Sequence, residues 1–90
     1  MKRNEIEDAL KGVLEDLAHI EHERWSHWQK YMHATAQLQP DGSLLIPADL
    51  VARWDRQIAK PYAELSENEK ESDRDQVRRY LPTIIEALSG

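Results

Sequence analysis

Residues 16–32 read Asp-Leu-Ala-His-Ile-Glu-His-Glu-Arg-Trp-Ser-His-Trp-Gln-Lys-Tyr-Met. At about 100° per residue, Leu17, Ile20, Trp25, Trp28, Tyr31 and Met32 fall along one side of a helix. Glu21 and Arg24 interrupt that stripe near its centre. A charge taken out of water there costs several kcal/mol unless a partner meets it. The element that packs on this helix must therefore answer both charges.

Working outward toward the N-terminus, Ile6, Leu10, Val13, Leu14 and Leu17 keep helical spacing, and Asn4 with Glu7 three residues on suits an N-cap. The spacing predicts one helix from about residue 5 to about residue 33. Gly12 lies inside it, at a cost of roughly 1 kcal/mol relative to alanine. Beyond Met32 the periodicity stops. Gln39-Pro40-Asp41-Gly42-Ser43 is a turn signal, because proline presets φ and glycine accepts positive φ. Leu38 and Leu44 to Ile46 on either side of it allow a short hairpin.

Pro47 suits the first position of a second helix, on which Leu50, Val51, Trp54 and Ile58 share a face. That helix must stop near Ala59, because Lys60 precedes Pro61 and is pushed out of the α region. Ser66-Glu67-Asn68-Glu69 is a capping box that opens a third helix at about residue 67. Its apolar face carries Val77, Tyr80, Ile84 and Leu88, with Leu81 at the margin and Asp73 in the middle. Pro82 predicts a kink near Arg78 to Arg79, or a division into two pieces. The fold class that follows is all-α: a single small domain, residues 1–90, of three to four helices with a short hairpin between the first two long ones.

If the first and last long helices pack, Arg24 is placed to bridge Glu21 and Asp73, with Arg74 or Arg78 as a further donor, since a guanidinium offers five N–H groups in a plane. Fixing helix register is the plainer role for such a network, and ligand contact the sharper one. On this reading Arg24→Met strands two acids and costs about 3 kcal/mol or more.

Composition narrows the function classes. Ninety residues bury only roughly 60 to 65% of their unfolded surface, so the core is thin and self-association helps. Seventeen acidic residues against twelve basic ones, net charge −5, work against binding a nucleic acid polymer through its phosphates. There is no cysteine for a disulfide or a thiolate site, no apolar run long enough to span a membrane and no readable signal peptide, so a cytoplasmic protein is expected. His19, His22, Glu15 and Glu23 share a polar helix side but lack a His-Glu-x-x-His frame, which favours a solvated face over a metal. The serines sit in turn and cap contexts without a placed base, so no catalytic residue is assigned and no enzyme is expected. No cofactor is assigned either.

The large rings are Trp25, Trp28, Tyr31, Trp54, Tyr62 and Tyr80, and each carries a polar handle. Core packing suits Trp28 and Trp54 best. Trp25 lies toward the edge of the stripe, beside His22 and next to Arg24, and a ring with a nearby guanidinium can stack a base and hold a phosphate.

Two separated runs carry a family resemblance. Glu21-His22-Glu23-Arg24-Trp25, followed by the run from Pro61-Tyr62-Ala63-Glu64-Leu65-Ser66-Glu67-Asn68-Glu69-Lys70 to Asp73-Arg74, resembles the RyR domain, a small helical module of ryanodine receptor repeats and of bacterial and phage proteins. The family's His-x-x-Trp, Pro-aromatic, Leu-Ser/Pro-Glu-x-Glu-Lys and Asp-Arg elements fall on His22, Trp25, Pro61, Tyr62, Leu65, Glu67, Glu69, Lys70, Asp73 and Arg74. The family's Gly-Trp-x-Tyr-Gly-like segment and its His-Pro have no counterpart between residues 33 and 60. The resemblance implies a noncatalytic module that binds or sequesters a nucleotide-derived signal; the ring-plus-arginine chemistry points to His22, Trp25, Tyr62, Arg74 and Arg78 lining the ligand site. The alternative is an interaction or homo-oligomeric assembly subunit without a small ligand.

Overall fold

The computed structural model describes residues 1–89. Four α-helices and a two-stranded ladder follow in the order α1 (Arg3–Lys11), α2 (Leu14–Thr35), β1 (Gln37–Leu38), β2 (Leu44–Leu45), α3 (Ala48–Ala59) and α4 (Glu67–Leu88), with a 3₁₀ turn at Tyr62–Glu64. This is the small all-α domain expected. The long N-terminal helix, however, is two helices. At Gly12–Val13 the backbone leaves the α ladder: the Val13 N–H donates to the Leu10 carbonyl, and Val13 then caps α2 by accepting from the Leu17 N–H. Glycine's low helix propensity decides a point that the apolar spacing alone left continuous. Asn4 is not the cap of α1, which starts from Lys2 without a side-chain cap. The guanidinium of Arg3 holds the Glu7 carboxylate at 3.0 Å, so that acid does not reach back to complete a capping box.

The hairpin forms with Gln37 opposite Leu45 and Leu38 opposite Leu44. Gly42 has φ of +88°, the left-handed conformation that glycine adopts without a Cβ penalty. Asp41 accepts from both the N–H and the hydroxyl of Ser43, which hold its carboxyl below the usual range. Lys60 is extended, as a residue before proline should be. The capping box on α4 is complete: Ser66 Oγ accepts from the Glu69 N–H, and Glu69 Oε1 accepts from the Ser66 N–H. Pro82 does not divide α4. It is exposed, so the Arg78 carbonyl that it leaves without a donor can turn to water.

α4 packs against both α1 and α2. Tyr80 reaches Glu21, while Asn68 and Glu69 lie near Trp28 and Tyr31, so α2 and α4 run antiparallel. Ile6 and Leu10 on α1, Leu17 and Ile20 on α2, and Ile84 and Leu88 on α4 are part-covered at these contacts. No described residue is fully buried. The extents explain why: the molecule measures 54 × 34 × 17 Å. Helices spread over such extents leave every described side chain partly open to water.

Candidate functional site

Of the expected charge network, one half stands. Arg24 pairs with Glu21 one turn back on α2, with Nε at 3.1 Å from the carboxylate, and the Tyr80 hydroxyl donates to that same carboxylate. Arg24 and Tyr80 together hold the Glu21 carboxyl down at about 2. Asp73 does not join them. The three-residue spacing within α2 lets Arg24 meet Glu21 without help from another helix, and Tyr80 supplies the cross-helix link that Asp73 was expected to make. Both members of the pair remain half-exposed, so removing Arg24 belongs with exposed ion pairs and not with the buried triad that the sequence suggested.

Arg74 and Arg78 are likewise used along their own helix. Arg74 contacts Glu71 at 3.1 Å and Glu67 at 3.3 Å, while Arg78 contacts Asp75 at 2.7 Å and shares Glu71. These acids raise both guanidinium pKa values, and Glu71 is lowered in return by Arg78 and Arg74. His22 and Trp25 stack on each other, with centroids 6.2 Å apart and planes 22° from parallel. Tyr62 has Lys70 Nζ 5.8 Å from its ring centre. The five residues assigned to a ligand site thus form local pairs and ladders, and none of them lines either of the two cavities between α2, α3 and α4.

The cavities lie elsewhere, in a trough bounded by α2, α3 and the first half of α4. One part, of about 460 Å³, is walled by Trp28, Tyr31 and Trp54 and contains Arg24 and Asp73. Trp28 meets Trp54 edge to face at 5.3 Å and lies 5.6 Å from Tyr31. The second part, of about 350 Å³, adjoins the first through Arg53, Gln57, Asn68 and Glu69, and adds Arg56 and Lys60. Four cations (Arg24, Arg53, Arg56 and Lys60) face two carboxylates (Glu69 and Asp73), the reverse of the balance over the whole chain. Among the described residues, the side chains of Arg53, Arg56 and Lys60 have no ion-pair or hydrogen-bond partner. Glu69 is occupied by the capping box, and the charges of Lys60 and Arg53 add to the lowering of its pKa.

Sequence reasoning missed this trough, although a signal was present. Arg53, Arg56 and Lys60 recur at helical spacing beside Trp54 on α3, a cationic stripe next to an aromatic one. No three His, Cys, Asp or Glu side chains converge on a metal position among the described residues, and no helix there is long and apolar enough to cross a membrane. Comparison with family models, curated proteins and solved structures gives no match. The fold and trough define a small all-α domain with an aromatic and cationic cleft. The likeness to the RyR domain rests on the sequence motifs alone.

Proposed function

We propose that this chain is a noncatalytic, RyR-like cytoplasmic module that binds a small planar anion, a nucleotide-derived signal of a bacterium or phage, in the trough between α2, α3 and α4. The observation that carries the reading is the trough's polarity along its length. Trp28, Tyr31 and Trp54 stand at one end, Arg56 and Lys60 at the other, and Arg53 lines both, the three cations having side chains without an ion-pair partner among the described residues. Rings take a base by stacking, and free guanidinium and ammonium groups take phosphate oxygens through charge-assisted hydrogen bonds. The volumes fall within the range of small-ligand sites, about 300–1,000 Å³. The N-terminus of α4 borders the cationic end and adds the positive pole of a 22-residue helix.

Titration of tryptophan fluorescence and calorimetry against nucleoside mono-, di- and cyclic phosphates test this. Saturable binding that weakens with salt is expected, as is a loss of roughly tenfold in Arg53→Ala, the effect of one charge-assisted contact. Folded protein giving no signal with any of these compounds would overturn the proposal. Binding lost in Arg74→Ala but intact in Arg53→Ala would move the site to His22, Trp25, Tyr62, Arg74 and Arg78.

A further inference from the structure

The surface of this chain is too large for its mass. A compact 10.5 kDa monomer exposes about 5,400 Å², whereas this one exposes 7,221 Å², an excess of about 1,800 Å². Its radius of gyration is 17.9 Å, where about 12 Å is usual for 90 residues. Obligate dimers bury on the order of 1,000–2,500 Å² from each partner, and the excess lies in that interval.

The side of the molecule that carries the uncovered apolar surface follows from helical rotation. In the antiparallel α2–α4 pair, α3 and the trough occupy one side, reached through His27 on α2 and Asn68 and Ser72 on α4. Turning each helix the other way, at about 100° per residue, brings Leu14 and Trp25 of α2 beside Val77, Leu81 and Ile85 of α4. Glu21 and Tyr80, which touch, link the two helices between this side and the trough. The five apolar residues are 63%, 55%, 55%, 42% and 61% exposed, respectively. They form a seam along two adjacent helices, 77, 81 and 85 repeating every fourth residue as in helix-to-helix packing.

From these observations we infer that a second copy of this chain docks on the Leu14–Trp25–Val77–Leu81–Ile85 seam, making a twofold dimer that covers the apolar stripe one copy leaves open. A second copy fits this surface for two reasons. The excess surface of the whole molecule falls in the range that one partner of an obligate dimer buries, and the seam is an uncovered apolar stripe of the kind that helices bury against another helix. Trp25 is then an anchor in the interface, as tryptophans commonly are. This inference does not depend on the ligand reading, because the trough opens on the other side of α2 and α4.

The test is light scattering and thermal unfolding of the whole chain across a concentration series, with Leu81→Asp and, as a control, Leu38→Asp on the hairpin. The expected result is twice the 10.5 kDa chain mass and a Tm that rises with concentration. Leu81→Asp should weaken association by roughly a hundredfold or more, since the twofold axis places the carboxylate in the apolar seam twice, and Leu38→Asp should leave it intact. If Leu81→Asp does not fold, the wild-type series decides. A concentration-independent monomer that unfolds cooperatively would overturn the inference, and so would a dimer that Leu38→Asp breaks and Leu81→Asp spares.

Discussion

Replacing Trp54 by alanine tests how α3 is held. This helix carries the cationic end of the trough, and its ring contact with α2 is Trp54 against Trp28 at 5.3 Å, edge to face. Trp54 is part-covered, so a loss of about 100 Å² of apolar contact is a fair measure for a ring that buries about 150–250 Å² when fully enclosed. At about 25 cal/mol per Å² that area contributes about 2.5 kcal/mol, and the edge-to-face geometry adds about 1 kcal/mol. Trp54→Ala is therefore expected to cost about 3.5 kcal/mol, a large fraction of the roughly 5–13 kcal/mol available to a chain of this length. Urea unfolding followed by circular dichroism measures the loss. A Trp28→Leu, Trp54→Leu double-mutant cycle isolates the ring pair, with a coupling of about 1 kcal/mol expected. Ile58→Ala, on an 81% exposed side chain of the same helix, should change stability by less than about 0.5 kcal/mol. A loss in Trp54→Ala no greater than that control would refute the reasoning, since α3 would then be held by something other than its tryptophan.

Three further outcomes are expected. Glu21 has its carboxyl lowered from 4.5 to about 2 by Arg24 and Tyr80, so its contribution to stability is complete above pH 4.5 and is lost as pH falls toward 2; in Tyr80→Phe the carboxyl should titrate at a higher pH, read by carbon NMR of the glutamate side chain. Ser66→Ala removes the acceptor for the Glu69 N–H and should cost about 1 kcal/mol, with faster amide exchange confined to the first turn of α4. Gly42→Ala places a Cβ on a backbone with φ of +88° and should cost about 1 kcal/mol in thermal unfolding, even though open space surrounds the position.

What the sequence made legible were the features whose cause is local. Ser66 and Glu69, the Pro40-Asp41-Gly42 turn and the Lys60–Pro61 junction act within four residues, and each appears where the chemistry of those residues places it. The break at Gly12–Val13 was missed because two effects of similar size compete there: an apolar spacing that continues through the glycine, and the poor propensity of the glycine itself. The Arg24 bridge to Asp73 was misplaced for a different reason. Residues on one helix face were treated as equally near the partner helix, whereas antiparallel packing brings Tyr80 to Glu21 and leaves Asp73 in the trough. The trough itself needs the placement of α3 relative to α2 and α4, a long-range fact. Its cationic stripe was visible as spacing, but nothing local said which helices it would face.

The expectation of a buried triad also failed because it assumed that an apolar stripe implies a core. The rows here are too narrow and too few for that. α2 presents Glu21 and Arg24 within its stripe, α4 devotes its first three turns to Glu67, Glu71, Asp75 and the arginines that pair with them, and the chain extends sideways and does not close on itself. α4 meets both α1 and α2, yet neither contact covers both sides of the α2–α4 pair. One side of the α2–α4 pair is occupied by α3, which leaves a polar, open trough. The other carries Leu14, Trp25, Val77, Leu81 and Ile85, all exposed. A second copy seated there would leave both troughs facing outward, so an anion in the trough and assembly at the seam would meet only through the shared helices. Arg53→Ala should therefore weaken ligand binding without changing the concentration dependence of Tm, and Leu81→Asp should act first on assembly. If the two substitutions instead produced the same pair of changes, the two surfaces could not be separate.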